Sequence, residues 1–415
     1  MRALHLATRL AGTDGVSLEA TKVARVLGDL GFERRDVAGD VETPGAVALP
    51  AMHFRAPEAR ALQRRAFPPA DAPDDPTLPT DLATAADRLA DAMLPVVRHA
   101  APDLLVVQNA WAIPMHLPLA GALARVVDAT GLPTLSHEHD YAWERDRFAH
   151  PRVPDWLETY FPWDAPHVRH LAINTPAADA LAQRRGLHAT VAPNVMDFGA
   201  PRPTPDEAAD VRARVRAALG LQHDRRLILQ PTRVVPRKGI HLAVELLARL
   251  DDPRNVLVIT HASGDEGDAT LAALRAQADA AGVDLRYVPD AFGPARDDAH
   301  FALRDAYLAA DFVTYPSLYE GFGNALLETL AFDRVALVNR YDVYVADIAP
   351  AGLDLVEIDG AIDHAAVARV RALLDDPEAR ARIAAANRTR AAAHFGLPAL
   401  RAALEGPLAS LGVTA

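Results

Sequence analysis

Tyr315 to Phe332 reads YPSLYEGFGNALLETLAF, and the succession of residue types in it decides the fold. Just before it, Asp311–Tyr315 (DFVTY) has the β-branched and aromatic content of a short buried strand. Pro316 and Ser317 end that strand, Glu320-Gly321-Phe322-Gly323-Asn324 is a glycine-bearing turn, and Ala325–Phe332 is a run of good helix formers without a breaker. In a strand, glycine loop and helix, the helix's first turn presents backbone N–H groups to the loop, where the amides and the helix dipole both favour an anion. Two carboxylates, Glu320 and Glu328, bracket that end and would repel a bare phosphate; as strong acceptors they suit hydroxyl groups. Amides for phosphate flanked by acids for hydroxyls describe a pocket for a nucleotide sugar. The plainer reading of the same residues is two solvated helix-end acids and a pair of glycines shaping a turn.

Working outward through the second half, Asp206–Leu219 reads as a helix and Leu227–Thr232 (LILQPT) as a strand. Arg233-Val234-Val235-Pro236-Arg237-Lys238-Gly239 follows, and Ile240–Leu250 resumes a helix. Three cations between a strand end and a helix start either meet an anion or form a solvated cluster. Further strands are expected at Asn255–Thr260, Leu285–Pro289, Val335–Asn339 and Leu355–Ile358, with helices at Ala365–Leu374, Pro377–His394 and Leu397–Ser410. Asp251-Asp252, Asp297-Asp298 and Asp375-Asp376 are adjacent acids of the helix-end or loop kind and make no Asp-x-Asp metal pair.

The first half has the same rhythm. Arg2–Thr8 is a strand candidate; Gly12 and Gly15 form a loop, with Ser17 the expected N-cap of an amphipathic helix carrying Leu18, Val23, Val26, Leu27 and Leu30. This loop is either a second anion site or a structural turn, and it lacks the G-x-G-x-x-G spacing of a dinucleotide site. Phe67–Pro79 is proline-dense and reads as an extended loop; Ala83–His99 and Leu117–Asp128 read as helices, and Leu104–Gln108 (LLVVQ) as a buried strand ending at Asn109. Alternating strands and helices indicate parallel sheets whose ligands gather at the strands' C-terminal ends. At such an end stands SHEHDYAWERDRF, Ser136–Phe148. His137 and His139 share a strand face and invite a metal reading, yet the further ligands of a spacing such as H-x-H-x-D-H are missing. Strands at His170–Thr175 and Thr190–Asn194 close this half before a proline-rich linker.

With 415 residues, two domains are expected. A net charge of −12 argues against a nucleic-acid binder that neutralises phosphates. Cysteine is absent, which removes disulfides, cysteine-ligated metals and a thiol nucleophile, and no run reaches the length of a membrane span. The N-terminus lacks the shape of a signal peptide, so the cytoplasm is the expected compartment, without a stable membrane anchor.

The phrase from the strand through EGFGNALLE resembles the E-x7-E signature of retaining glycosyltransferases of family 4, which have the GT-B fold: α/β, two Rossmann-like domains facing an interdomain cleft. Arg233 and Lys238 match the family's R-x4-K-G element, and Pro193–Asp197 resembles its PNGVD linker with Val195 in place of glycine. The resemblance implies an N-terminal acceptor-side domain at 1–198, a donor domain at 199–390, and a segment 391–415 that crosses back. Arg233 and Lys238 would clamp a donor diphosphate, with Glu320 on the donor sugar's hydroxyls and Glu328 on the ribose. Amides around Gly321, Phe322, Gly323, Asn324 and Ala325 would meet the diphosphate, and Gly15 would approach the donor from the first loop. Arg237 is given no role and reads as solvated. Ser136–Phe148 resembles the HDF-x-W-ER segment of members that build small sugar–acid solutes. This puts His139 near the reacting carbon, with His137 the alternative, and lines the acceptor side with Asn109, Asp140, Tyr141, Trp143, Glu144 and Arg145. Arg145 and Arg147 either pair with an acceptor carboxylate or with surface acids. The implied activity is retaining transfer of a hexose from a nucleotide-diphosphate sugar, of GDP-mannose or UDP-glucose type, to a small soluble or saccharide acceptor, without metal or cofactor. A metal-dependent hydrolase built on His137 and His139 and a non-catalytic nucleotide-sugar-binding protein are the alternatives.

Overall fold

The computed structural model describes residues 1–12, 14–263, 269–297 and 300–413, so Asp298 of the Asp297-Asp298 pair lies outside the described residues. The chain divides into two compact units, Met1–Asn194 with Leu397–Ala415, and Val195–Gly396. The break thus falls inside the PNVMD stretch, four residues before the expected boundary. The return to the first unit comes at Leu397 rather than at 391, because the helix Pro377–Phe395 is continuous and stays with the second unit. Val195 is fully buried, and its φ is not among the positive ones, so the usual glycine is not required there.

The first unit is a seven-stranded parallel sheet: β1 (Arg2–Ala7), β2 (Glu33–Ala38), β3 (Val47–Ala48), β4 (Leu104–Gln108), β5 (Thr134–Glu138), β6 (Val168–Ala172) and β7 (Ala189–Val191), in the order β3-β2-β1-β4-β5-β6-β7. β4 is buried along its whole length, which is why it is a continuous apolar run and not an alternating one. On one face Leu4, Leu6, Leu105 and Val107 pack with Leu89 and Met93 of the helix Leu78–Ala100 and with Leu119 and Leu123 of the helix Leu117–Thr130. Burying such side chains contributes roughly 1.5–3 kcal/mol each. The helix Gly15–Asp29 starts two residues before the expected cap: Asp14 is the N-cap and accepts from the amide and the hydroxyl of Ser17. The closing helix Leu397–Ser410 packs on Gly15–Asp29 and β7, and Arg169 Nε donates to Ser410 Oγ at 2.9 Å.

The second unit holds a six-stranded parallel sheet: β8 (Arg226–Gln230), β9 (Asn255–Ile259), β10 (Asp284–Tyr287), β13 (Phe312–Tyr315), β14 (Ala336–Asn339) and β15 (Val356–Ile358), ordered β10-β9-β8-β13-β14-β15. Two short parallel strands, β11 (Phe292–Gly293) and β12 (Phe301–Ala302), pair apart from it. Ile228, Leu257, Phe312 and Leu337 meet the apolar stripe Leu242, Leu246 and Leu250 of the helix Ile240–Leu250. Strand order reverses once in each sheet, between β1 and β4 and between β8 and β13. Helices leave such a point in opposite directions and open a crevice at the strands' C-terminal ends. Both units are therefore Rossmann-like, as expected for the GT-B fold.

Candidate active site

At the second reversal point the ends of β8 and β13 are tied by buried polar groups. Thr314 Oγ1 donates to Gln230 Oε1 at 2.8 Å, and Gln230 Nε2 donates to Thr232 Oγ1 at 2.7 Å. Two loops then leave side by side. Leu318 N donates to Arg237 O at 2.8 Å, which sets the Arg233–Gly239 loop against the one that carries Glu320. Gly239 has φ +60°, and a Cβ there would stand 2.2 Å from Pro316 O, so this close approach needs glycine.

Lys238 Nζ donates to Glu320 Oε1, and Arg237 Nη1 donates to Glu320 Oε2 at 3.1 Å. Lys238 also lies 5.8 Å from the Tyr315 ring centroid. Arg237 is thus a partner of the expected catalytic acid and not a solvated bystander. Glu320 and Lys238 are both buried. Burial would raise the Glu320 carboxyl; Lys238 first, then the Ser317 hydroxyl and Arg237, outweigh it and hold the group below its ordinary value. Burial lowers Lys238; Glu320 opposes this, while Arg237 and Arg233 add to it. Arg233 is exposed at the mouth of the same loop and forms no ion pair among the described residues. His261, two residues beyond β9, belongs to this group although no motif marked it: burial first, then Lys238 and Arg233, bring its pKa down to about 4. Its only sequence signal is its place beyond a strand end next to β8.

Gly323 opens the helix Asn324–Ala331 with φ +137°, and a Cβ would lie 2.5 Å from Tyr341 Oη, whose hydroxyl donates to Phe322 O at 2.7 Å. The helix has no side-chain cap. Gly321, Asn324 and Ala325 are half-buried at its start, whereas Phe322 is buried, 5.8 Å from Phe395, and acts as the wedge that fixes the turn. Glu328 is half-buried one turn on, and Tyr307 donates to its Oε2 at 2.7 Å.

In the first unit, Asn109 follows β4 with φ +56°, a left-handed conformation that asparagine tolerates. Its Oδ1 accepts from His139 N at 2.9 Å and its Nδ2 donates to Asp140 Oδ1 at 3.0 Å, so it fixes the turn after β5. His137 and His139 do share a face, with ring centroids 4.4 Å apart, and both address Gln108 Oε1, at 3.1 and 3.4 Å. His137 is fully buried; His139 reaches the edge. Burial, and then Lys22, bring His139 down to about 3, so its imidazole is neutral. Among the described residues no three His, Asp or Glu side chains gather in a metal-holding group, which leaves the hydrolase alternative without a ligand set.

Most of the residues expected on the acceptor side bond or pack with one another. Tyr141 is fully buried, stacked on Trp143 at 4.6 Å, and donates to Glu138 Oε2 at 3.0 Å, so both rings are packing groups under the turn. Glu138 also takes Ser136 Oγ at 2.8 Å and His170 Nδ1 at 2.7 Å; burial lowers His170, and Glu138 more than reverses that. Glu144 is exposed. Arg145 closes on Asp140, its Nε at 2.6 Å, so this pair satisfies itself. Gly15 is exposed in the first turn of its helix, behind the Asp14 cap.

Three comparisons bear on this arrangement. Residues 211–390 match the family model described as Glycosyl transferases group 1. Along the chain, the mannosylglucosylglycerate synthase of Petrotoga mobilis is 28% identical over 382 residues, 86% of each chain, and that of Thermotoga maritima is 29% identical over 396 residues, 88% of this chain and 89% of its own. Among solved structures, a glycosyltransferase from Rickettsia africae superposes with a TM-score of 0.67 at 13% identity, over 99% of this chain and 98% of its own, and shares the fold. The stretch 211–390, which holds the Lys238–Glu320 pair at its reversal point, is thus similar to the group 1 glycosyl transferases.

Proposed function

We propose that the chain is a retaining glycosyltransferase of family 4 that moves a hexose from a nucleotide-diphosphate sugar, of GDP-mannose or UDP-glucose type, to a small acceptor bearing a glycerate-type acid. The observation that carries this reading is the buried Lys238–Glu320 pair between two backbone-tied loops, with Arg233 at its mouth. That both relatives are mannosylglucosylglycerate synthases supports an acceptor that contains glycerate.

Glycosyl transfer passes through an oxocarbenium-like centre while negative charge grows on the departing diphosphate. Cations already fixed in a low-dielectric loop stabilise that growing charge without reorganisation. Lys238 and Arg233 take this role, and Glu320 holds Lys238 in line while its second oxygen, shared with Arg237, remains an acceptor for donor hydroxyls. Glu328, oriented by Tyr307, suits ribose hydroxyls. His139, kept neutral, positions the sugar as a dipole and carries no charge into the ground state. The donor phosphate assists removal of the acceptor's proton on the same face of the sugar. No cofactor beyond the donor is invoked. Among the described residues no helix is long and apolar enough to cross a membrane; a soluble acceptor and a cytoplasmic location are part of the proposal.

A panel of nucleotide sugars crossed with small acids and sugars tests the reading. The expected result is one donor turned over with anomeric configuration retained, seen as an unchanged anomeric coupling in the product. Binding of a donor without product from any acceptor would assign the chain to the non-catalytic class. A chelator is expected to leave turnover largely intact; complete loss restored by added metal would return His137 and His139 to a metal site.

A further inference from the structure

The first unit has its own crevice at the reversal between β1 and β4, and a cavity of about 190 Å³ opens there. Arg9, Asp14, Phe54, Gln108, Asn109 and Met115 line it. We propose, resting on the acidic-acceptor reading above, that this cavity receives the acceptor's carboxylate, with Arg9 as the group that holds it and Gln108 Nε2 as donor to an adjacent hydroxyl.

The guanidinium is fixed before any ligand arrives. Arg9 Nε and Nη2 donate to Asp14 Oδ2 at 3.2 and 2.6 Å. Asp14 is itself held by the amide and the hydroxyl of Ser17, at 3.2 and 2.7 Å. Burial would raise the Asp14 carboxyl, but these bonds with Ser17 and Arg9 outweigh it and keep the group ionised. Arginine carries five N–H donors in a planar fork, and this arrangement uses one edge. The other edge, Nη1 with the second Nη2 proton, has no hydrogen-bond partner among the described residues, and its spacing matches the two oxygens of a carboxylate. Because Asp14 and the helix end have already ordered the side chain, little rotamer freedom is left to lose on binding.

A second, independent observation concerns another residue that lines the same cavity. Gln108 is buried and its Nε2 has no partner, while its Oε1 is held in place by His137 and His139. A buried amide N–H without an acceptor is an expense that a ligand oxygen removes. Phe54 and Met115 give apolar walls for a short carbon chain, and the volume suits a three-carbon hydroxy acid or one sugar ring. Arg147 adds a cation beside the wall: its Nη2 lies 3.0 Å from Met115 Sδ and it has no ion pair among the described residues. Arg145, closed on Asp140, is not needed for this role.

The test uses the full chain with Arg9→Gln and Arg9→Lys, comparing glycerate with glycerol as acceptors at saturating donor. Arg9→Gln is expected to lower the ratio of kcat/KM for glycerate over glycerol by about thirtyfold, the loss of one charge-assisted pair, with Arg9→Lys recovering part of it. An unchanged ratio overturns the proposal. Should Arg9→Gln fail to fold, the wild-type chain answers: glycerate should protect Arg9 from phenylglyoxal, read by peptide mass spectrometry, and glycerol should not. Equal modification with and without glycerate rejects the site. This last measurement needs no turnover, so an inert donor panel would sink the transferase reading and leave the carboxylate site to be judged separately.

Discussion

Lys238→Ala and Glu320→Ala should each lower kcat/KM for glycosyl transfer by about 10²–10³-fold, the usual effect of removing one preorganised group from a developing anion. Steady-state kinetics beside a circular dichroism spectrum check this, and full activity in either folded variant removes that residue from its role. The losses differ in kind. In Lys238→Ala the cation proposed to meet the diphosphate is gone, and Glu320, almost wholly buried, keeps Arg237, at 3.1 Å, as its ion-pair partner among the described residues. Breaking such a pair by taking one partner costs about 3–5 kcal/mol of stability, so melting must be measured alongside rate. The sign of the pH dependence separates the two effects. Because the folded Glu320 carboxyl lies below its ordinary 4.5, its contribution to stability is present above that pH and is lost as pH falls through the lowered folded value. Without Lys238 the burial that remains pushes the carboxyl up. The acid limb of the melting curve should therefore move to higher pH in Lys238→Ala, and a limb that overlays the wild type would show that Lys238 is not what keeps Glu320 ionised.

Most of this pair was legible in the chain. Buried parallel strands announce themselves as short apolar runs, which is why Leu104–Gln108 and the helix Ile240–Leu250 end where their residue types change. β2 is masked in the sequence because all of the first four residues of ERRDVA are charged. Its outer neighbour β3 is only two residues long, so the strand's first half stays exposed, and buried Asp36 is answered by Arg34 at 2.8 Å. The Asp14 cap was missed for a related reason: Ser17 is a good cap by type, but an acid three residues earlier can satisfy the amide and the hydroxyl of Ser17 together. Arg233 and Lys238 could be found by spacing, whereas Arg237 could not. Its role depends on which way a three-residue turn points it, and that is set by contact with a loop about 80 residues later. His261 and Tyr307 are of the same class, brought to the site by sheet order and helix packing rather than by any local pattern. In SHEHDYAWERDRF, the resemblance puts Tyr141, Trp143 and Arg145 on the acceptor side; the fold buries Tyr141 against Trp143 and pairs Arg145 with Asp140.

Gly239→Ala should be as damaging as the loss of a charge, although it removes none. Its φ of +60° is costly for any residue with a Cβ, about 1–2 kcal/mol. The new methyl would also meet Pro316 O at 2.2 Å and Pro316 C at 3.1 Å, which are backbone atoms that no rotamer change can move aside. Overpacking of this kind adds about 1–3 kcal/mol. Relief requires the Arg233–Lys238 loop to part from the Pro316–Glu320 loop, which stretches the Leu318 N to Arg237 O bond and pulls Lys238 away from Glu320. A displacement of about 1 Å at positioned groups costs about 10² in rate, so kcat/KM should fall by that order together with the melting temperature. Gly282→Ala is the control. Gly282 has φ +66°, but its added Cβ meets nothing within 4 Å, so it bears the conformational cost without the collision. Loss of stability in both variants, with loss of transfer confined to Gly239→Ala, is the expected outcome. Equal activity in the two would mean that the contact between these loops does not set the geometry of the site.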